Sequence, residues 1–283
     1  MRGVPALGQL GSDATRAASA AGRSRWVGWL GRAGLVAKGL SYALVGALAL
    51  MLAADAGGRA TGRQGALELI ADEAYGRLAI IGLAAGFGAY AAWRLAQALL
   101  DRATEGTDAG GLAKRIGYLG RAVLYFGLAG SALTLLDGTA SGGSETQETR
   151  GATAEALTWP GGRWLVGAIG AGFLAAAAFN GYRAFTQKFE EKWYVDDLGE
   201  RAQRVLAGVG SAGLLARFVV FGLVGTFLAK AAYEYDPQEA IGIDGALRKV
   251  VDGAYGEALL GLLAAGLLCY SLFCLVEARY RRV

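Results

Sequence analysis

The chain has 283 residues, of which 54% are hydrophobic, and carries a net charge of +4. Its mean hydropathy is +0.35, and soluble domains are roughly 45–50% apolar, so the composition points to a membrane protein. There is no His and there are two Cys, which excludes a Ser–His–Asp triad, a His-held haem and the usual zinc site. Carboxylate chemistry is not excluded.

Residues 1–30 are rich in Ala, Gly, Ser and Arg, with no apolar core. No apolar stretch follows the first charges until Leu35, so a signal peptide is not expected. A disordered cytoplasmic tail is, with Trp26 and Trp29 as anchors at headgroup level. Six apolar segments follow: Leu35–Ala53, Leu78–Leu100, Gly117–Leu136, Trp164–Tyr182, Ala212–Tyr233 and Gly256–Val276. Each has the roughly 20 residues that cross about 30 Å of hydrocarbon. Cys269 and Cys274 lie five apart in the last, on different helix faces, and are expected as free, buried thiols.

One pattern recurs in the first, third and fifth segments. Gly34, Lys38, Tyr42 and Gly46 read small, cation, aromatic, small at steps of four. Gly117, Arg121, Tyr125 and Ala129 repeat it, as do Gly213, Arg217, Phe221 and Gly225. On a helix this is one slowly drifting face. The connectors after these segments carry Gly65-Ala66-Leu67, Gly151-Ala152-Thr153 and Gly245-Ala246-Leu247. Leu247, Val250, Val251 and Ala254, and likewise Ala66, Leu67, Ile70 and Ala74, then suggest short amphipathic helices lying on the outer bilayer surface. Pro160 interrupts the middle copy. The return segments carry Gly86, Gly172 and Gly266, with Tyr90 and Tyr270 four residues later but Ala176 in the middle copy.

The expected fold class is therefore all-α: a polytopic membrane protein of six transmembrane helices in three tandem helical-hairpin repeats with pseudo-threefold symmetry. The units are residues 31–101, 114–185 and 210–280, joined by linkers at about 102–113 and 186–210. Gly82-x3-Gly86 and Ala168-x3-Gly172 are candidate close helix contacts. The N-tail, the even connectors and the C-tail hold 17 Lys and Arg; the odd connectors hold 8. The positive-inside rule then puts both termini in the cytoplasm.

The tandem two-helix units, the Gly-x3-Lys/Arg-x3-Tyr/Phe start and the outer Gly-Ala-Leu segment resemble a bacterial membrane family known as domain of unknown function 1206. The resemblance covers nearly all of residues 30–280. It implies six spans and a bacterial plasma membrane, and it implies no substrate, cofactor or catalytic residue. The middle copy departs from the pattern at Pro160 and Ala176, which counts against any site that needs three equal units. The mitochondrial carrier architecture also has three two-helix units, but its helices bend at a Pro, and no apolar segment here contains one.

The candidate site is the set of intramembrane cations, Lys38, Arg121 and Arg217. They could form a ring that binds an anionic headgroup or phosphate, with Glu277 as a charge partner, through Arg217 of its own unit. The simpler expectation is snorkelling, since a cation one to two turns inside the boundary can reach back to the headgroups. Arg94, near the end of its span, serves as the comparison cation. The acids of the outer connectors, Asp244 among them, are expected on a solvated surface rather than around a metal, because no ligand spacing recurs. No acids converge at one depth, so no enzyme is expected, and no cofactor. The expected partners are membrane lipids, anionic ones as the candidates, and no nucleic acid. A transport-like or anion-binding bundle competes with a structural or partner-binding membrane protein that has no transported substrate. The facing of the three cations discriminates between them.

Overall fold

The computed structural model describes residues 25–54, 76–100, 109–136, 144–187, 199–252 and 255–280. Among these residues it is helical, with no strand. The helices are α1 (Arg25–Ala53), α2 (Gly76–Leu100), α3 (Ala109–Leu136), α4 (Glu145–Thr158), α5 (Gly162–Thr186), α6 (Glu200–Glu234), α7 (Ile243–Val251) and α8 (Gly256–Tyr280). Six of them, α1, α2, α3, α5, α6 and α8, are long and apolar enough to cross a membrane. The expected all-α, six-span fold is thus the one observed. The disordered tail before residue 25 and the first outer amphipathic stretch, residues 65–76, fall outside or almost wholly outside the described residues.

The helices begin earlier than the apolar runs do. α1 starts at Arg25, inside the stretch expected as tail, and α6 starts at Glu200 rather than Ala212. At 35 residues α6 is about 52 Å long, well beyond a hydrocarbon core of roughly 30 Å. Its start, Glu200–Arg204, carries four polar or charged side chains, and helix propensity rather than lipid sets where it begins. As a result Lys38, Arg121 and Arg217 lie near the middle of their helices.

Unit 1 is α1 and α2, unit 2 is α3 to α5, and unit 3 is α6 to α8. The packing follows a cyclic rule. The return helix of each unit packs on the first helix of the next: α2 on α3, α5 on α6, and α8 back on α1. The second small residue of the repeated pattern marks this seam. Gly46 lies against Ala264 and Leu268 of α8, and Gly225 lies against Gly170 and Leu174 of α5. At the third seam the equivalent Ala129 is buried. The aromatic of the pattern packs there too: Tyr42 on Tyr270, Tyr125 on Tyr90, and Phe221 on Phe173, with ring centroids 4.8, 4.5 and 5.5 Å apart.

Within a unit the rule breaks once. In unit 1, α1 packs on α2 because a Cβ at Gly34 would collide with Tyr90, and one at Gly86 with Ala37. In unit 3, Gly213 meets Tyr270 and Gly266 meets Ala216 in the same way. In unit 2, α3 and α5 form no such interface. Gly117, Gly120 and Gly172, the matching residues, have open space beside them among the described residues. Gly82 also faces open space, so of the four residues expected to make close contacts Gly86 does and Gly82 and Gly172 do not. The six long helices contact one another in the order α3, α2, α1, α8, α6, α5, which leaves a gap between α3 and α5.

One face of the bundle carries α4 and α7. Pro160 does not interrupt α4: the helix runs unbroken from its N-cap Ser144 and ends at Thr158, before the proline. α7 does not lie with its apolar side on lipid. Ile243, Ala246 and Leu247 are buried against α4, α6 and α8. Asp244 is buried as well, not solvated. It accepts hydrogen bonds from the amide and hydroxyl of Thr146 at 2.9 and 2.7 Å, which caps α4 from unit 3. Arg150 donates to the Ala240 carbonyl at 3.2 Å, and Tyr235 donates to that of Leu157 at 2.5 Å.

Candidate functional site

Gly34 and Gly213 let the tyrosines of the return helices lie directly on α1 and α6. Both hydroxyls are thereby carried into the bundle, one turn from Lys38 and Arg217 in the helical pattern. Lys38 donates from Nζ to the Tyr270 hydroxyl at 2.6 Å, and Arg217 donates to the same oxygen at 2.7 Å. The Lys38 ammonium stands 5.0 Å from the Tyr270 ring centroid and 5.6 Å from that of Tyr90. The Arg217 guanidinium is 4.3 Å from the Phe221 centroid and 4.5 Å from that of Tyr270. Two of the expected site residues, from different units, are therefore brought together on one oxygen.

Snorkelling is not what these two side chains do. Lys38 is 7% exposed, and its charge points to the interior. Arg121 differs. It is exposed, and it makes no hydrogen bond or ion pair among the described residues. It does stand within electrostatic reach of Arg94, Tyr90, Arg217 and Tyr270, so it borders the same cluster. Its own unit offers Ala176 where units 1 and 3 offer a tyrosine.

Arg94 was expected as an ordinary cation at a span end. It is instead buried, at 8% exposure, and belongs to the cluster. It donates to the Tyr90 hydroxyl at 3.0 Å and to Gln97 Oε1 at 2.8 Å. Its guanidinium lies 4.3 Å from the Trp93 centroid and 5.4 Å from that of Tyr118 on α3. Asn180 and Cys274 occupy the same repeat position; Asn180 donates to the Ala176 carbonyl at 2.8 Å, and Cys274 is a buried free thiol. Cys269 is also free but only half-buried, against the expectation.

Glu277 is half-buried at the end of α8, within electrostatic reach of Arg94, a residue of unit 1. Four cations against this one carboxylate leave three positive charges in excess. None of the four makes an ion pair among the described residues. The Arg217 Nε is buried with no hydrogen-bond partner. Such a cluster can hold an anion: it offers charge and leftover N–H donors.

The α4/α7 face has a concavity of about 460 Å³, lined by Ser144, Thr146, Gln147 and Arg150 among others. Its lining carries one charge and no converging reactive groups. Lys230, on the same side, pairs with Glu239 at 2.9 Å and Glu234 at 3.8 Å.

Two comparisons bear on identity. A family model described as Domain of Unknown Function (DUF1206) matches three times, at residues 33–101, 116–187 and 212–281. The chain is also 32% identical over 258 residues to "Uncharacterized protein YxxB" of Bacillus subtilis (strain 168), covering 91% of this chain and 92% of that protein. No solved structure matches. With three tandem matches spanning all six long helices, the chain belongs to the DUF1206 family.

Proposed function

We propose that this protein is a multi-pass bacterial plasma-membrane protein with cytoplasmic termini, and that its helical bundle binds an anionic group at Lys38, Arg94, Arg121 and Arg217 without acting as an enzyme. The observation that carries this reading is the inward concentration of charge. Lys38 and Arg217 share one tyrosine oxygen while no carboxylate is bonded to any of the four cations among the described residues. An intramembrane cation costs about 2.5–3.5 kcal/mol on insertion scales. Keeping like charges together raises that cost, and a bound anion offsets it.

Native mass spectrometry of the detergent-purified protein tests the reading. Wild type is expected to retain an anionic species, and Lys38→Gln or Arg217→Gln to retain less. Arg204→Gln, an exposed cation paired with Glu200, is the control. Equal retention by all four proteins removes the reading. The topology is tested separately by a reporter fused after Val283, which is expected to be active only in its cytosolic form.

A structural or partner-binding role without ligand is the second reading. It is favoured by one observation: the Tyr270 hydroxyl and the surrounding rings already give Lys38 and Arg217 partners. It expects no retained species in any of these proteins.

A further inference from the structure

Resting on the anion-binding reading above, we propose that the site is entered sideways, through the gap between α3 and α5, by the phosphate head of an anionic lipid, with Arg121 the first cation it meets. The gap is specific to unit 2. Gly117, Gly120 and Gly172 stand where units 1 and 3 have closed helix contacts, and all three have open space beside them. Ala176 replaces the tyrosine that fills the matching place in the other two units. Among the described residues the helix pairs of units 1 and 3 are closed and that of unit 2 is not.

Arg121 belongs to α3, one of the two helices that border the gap, and is exposed on an otherwise apolar stretch and bonded to nothing among the described residues. Its neighbours Arg94 and Arg217 lie further in, and the buried Arg217 Nε is a donor still without a partner. A phosphate satisfies both features, because its oxygens accept from several guanidinium groups at once. The cations lie one to two turns inside the boundary of the apolar runs, a depth a lipid head reaches by a short displacement. The small residues flanking the gap leave room for the acyl chains behind it. A free phosphate has the same head chemistry but no reason to prefer an apolar entrance.

The test uses the full chain in neutral detergent, titrated with phosphatidylglycerol, phosphatidylcholine or inorganic phosphate and read by native mass spectrometry. Wild type is expected to bind phosphatidylglycerol over phosphatidylcholine, and excess inorganic phosphate is expected not to displace it. Arg121→Gln is expected to weaken phosphatidylglycerol binding about tenfold, the loss of one charge-assisted hydrogen bond. Ala176→Tyr restores the filling side chain of the other units and is expected to weaken it by a similar factor. If Ala176→Tyr does not fold, Gly172→Phe in the same wall takes its place. Binding of phosphatidylglycerol by Ala176→Tyr or by Arg121→Gln at the wild-type level overturns the lateral site. Binding of inorganic phosphate with no preference for the lipid overturns it too, but leaves the anion-binding reading standing. If wild type binds neither, the anion-binding reading itself falls.

Discussion

Units 1 and 3 are closed hairpins and unit 2 is not, although all three share the same glycines. In units 1 and 3 a tyrosine main chain lies where a Cβ of Gly34 or Gly213 would stand. Unit 2 has Gly117 in that place and nothing against it. The difference shows in how much of each helix the bundle covers: 22% and 28% of the apolar window is buried for α3 and α5, against 44–50% for the other four. Small residues therefore permit a close helix contact but do not produce one. In units 1 and 3 the backbone of a tyrosine lies over the first glycine, and in unit 2 Ala176 stands at that tyrosine's place. Without a hydrophobic drive between helices inside lipid, packing area decides which pairs form.

The sharpest way to break this comparison is to fill the glycines. Gly34→Leu and Gly213→Leu force the return helices apart, and overpacking of this kind costs about 1–3 kcal/mol or more. A fall in the thermal midpoint of the detergent-purified protein by roughly 5 °C or more is expected for each. Gly120→Leu is expected to leave the midpoint within about 2 °C, since nothing lies against it. A large drop for Gly120→Leu would mean that unit 2 closes as the others do.

Asp244→Ala comes next. It removes the acceptor for two Thr146 donors and leaves the α4 N-terminus without the cap supplied by unit 3. A loss of about 1–3 kcal/mol is expected, read as a lower midpoint and faster proteolysis within α4. This contact is part of what fastens unit 2 to unit 3 on the α4/α7 face, so the effect measures how far that fastening makes up for the open hairpin.

Tyr270→Phe and Tyr90→Phe sharpen the comparison at the cluster. The first strips Lys38 of its hydrogen-bond acceptor and Arg217 of the same one, for an expected loss of about 1–3 kcal/mol. The second is expected to cost about 1 kcal/mol, because Arg94 keeps Gln97. Equal losses in the two variants, measured by denaturant titration in detergent, would show that the shared oxygen has no special weight. The smallest effect is expected for Gly117→Ala, a gain of up to about 1 kcal/mol from helix propensity alone.

Much of this molecule is legible in the sequence, and the limits are physical. Six spans follow from six apolar runs of about 20 residues, because a helix of that length satisfies its backbone within one segment and crosses the hydrocarbon. The repeat follows from spacing. The helix starts do not, since α6 extends past the apolar run into the mixed turns of residues 200–211 with no change of period to mark them. Pro160 signals a helix end, but a single sequence cannot say that the end lies before it rather than that the helix is broken by it. Lys38 and Arg217 stand out as lone charges in apolar runs. Arg94 does not, because a cation near a span end looks the same whether it turns outward to the headgroups or inward to Tyr90. Ala176 announces that unit 2 differs, though which helices part company is visible only in the packing.

The cyclic packing rule has a consequence for assembly. α3 leans on α2, which precedes it, and α5 leans on α6, which follows it. Neither leans on the other, so the connection from α3 to α4, between residues 136 and 144, leads on to a helix, α5, that needs nothing from α3 within the bilayer. The chain thus divides naturally into a three-helix front and a rear of α4 to α8, which meet where α1 receives α8. Two separately made pieces cut at that point would carry every long-helix interface between them, and Tyr42 against Tyr270 would be where they recognise one another.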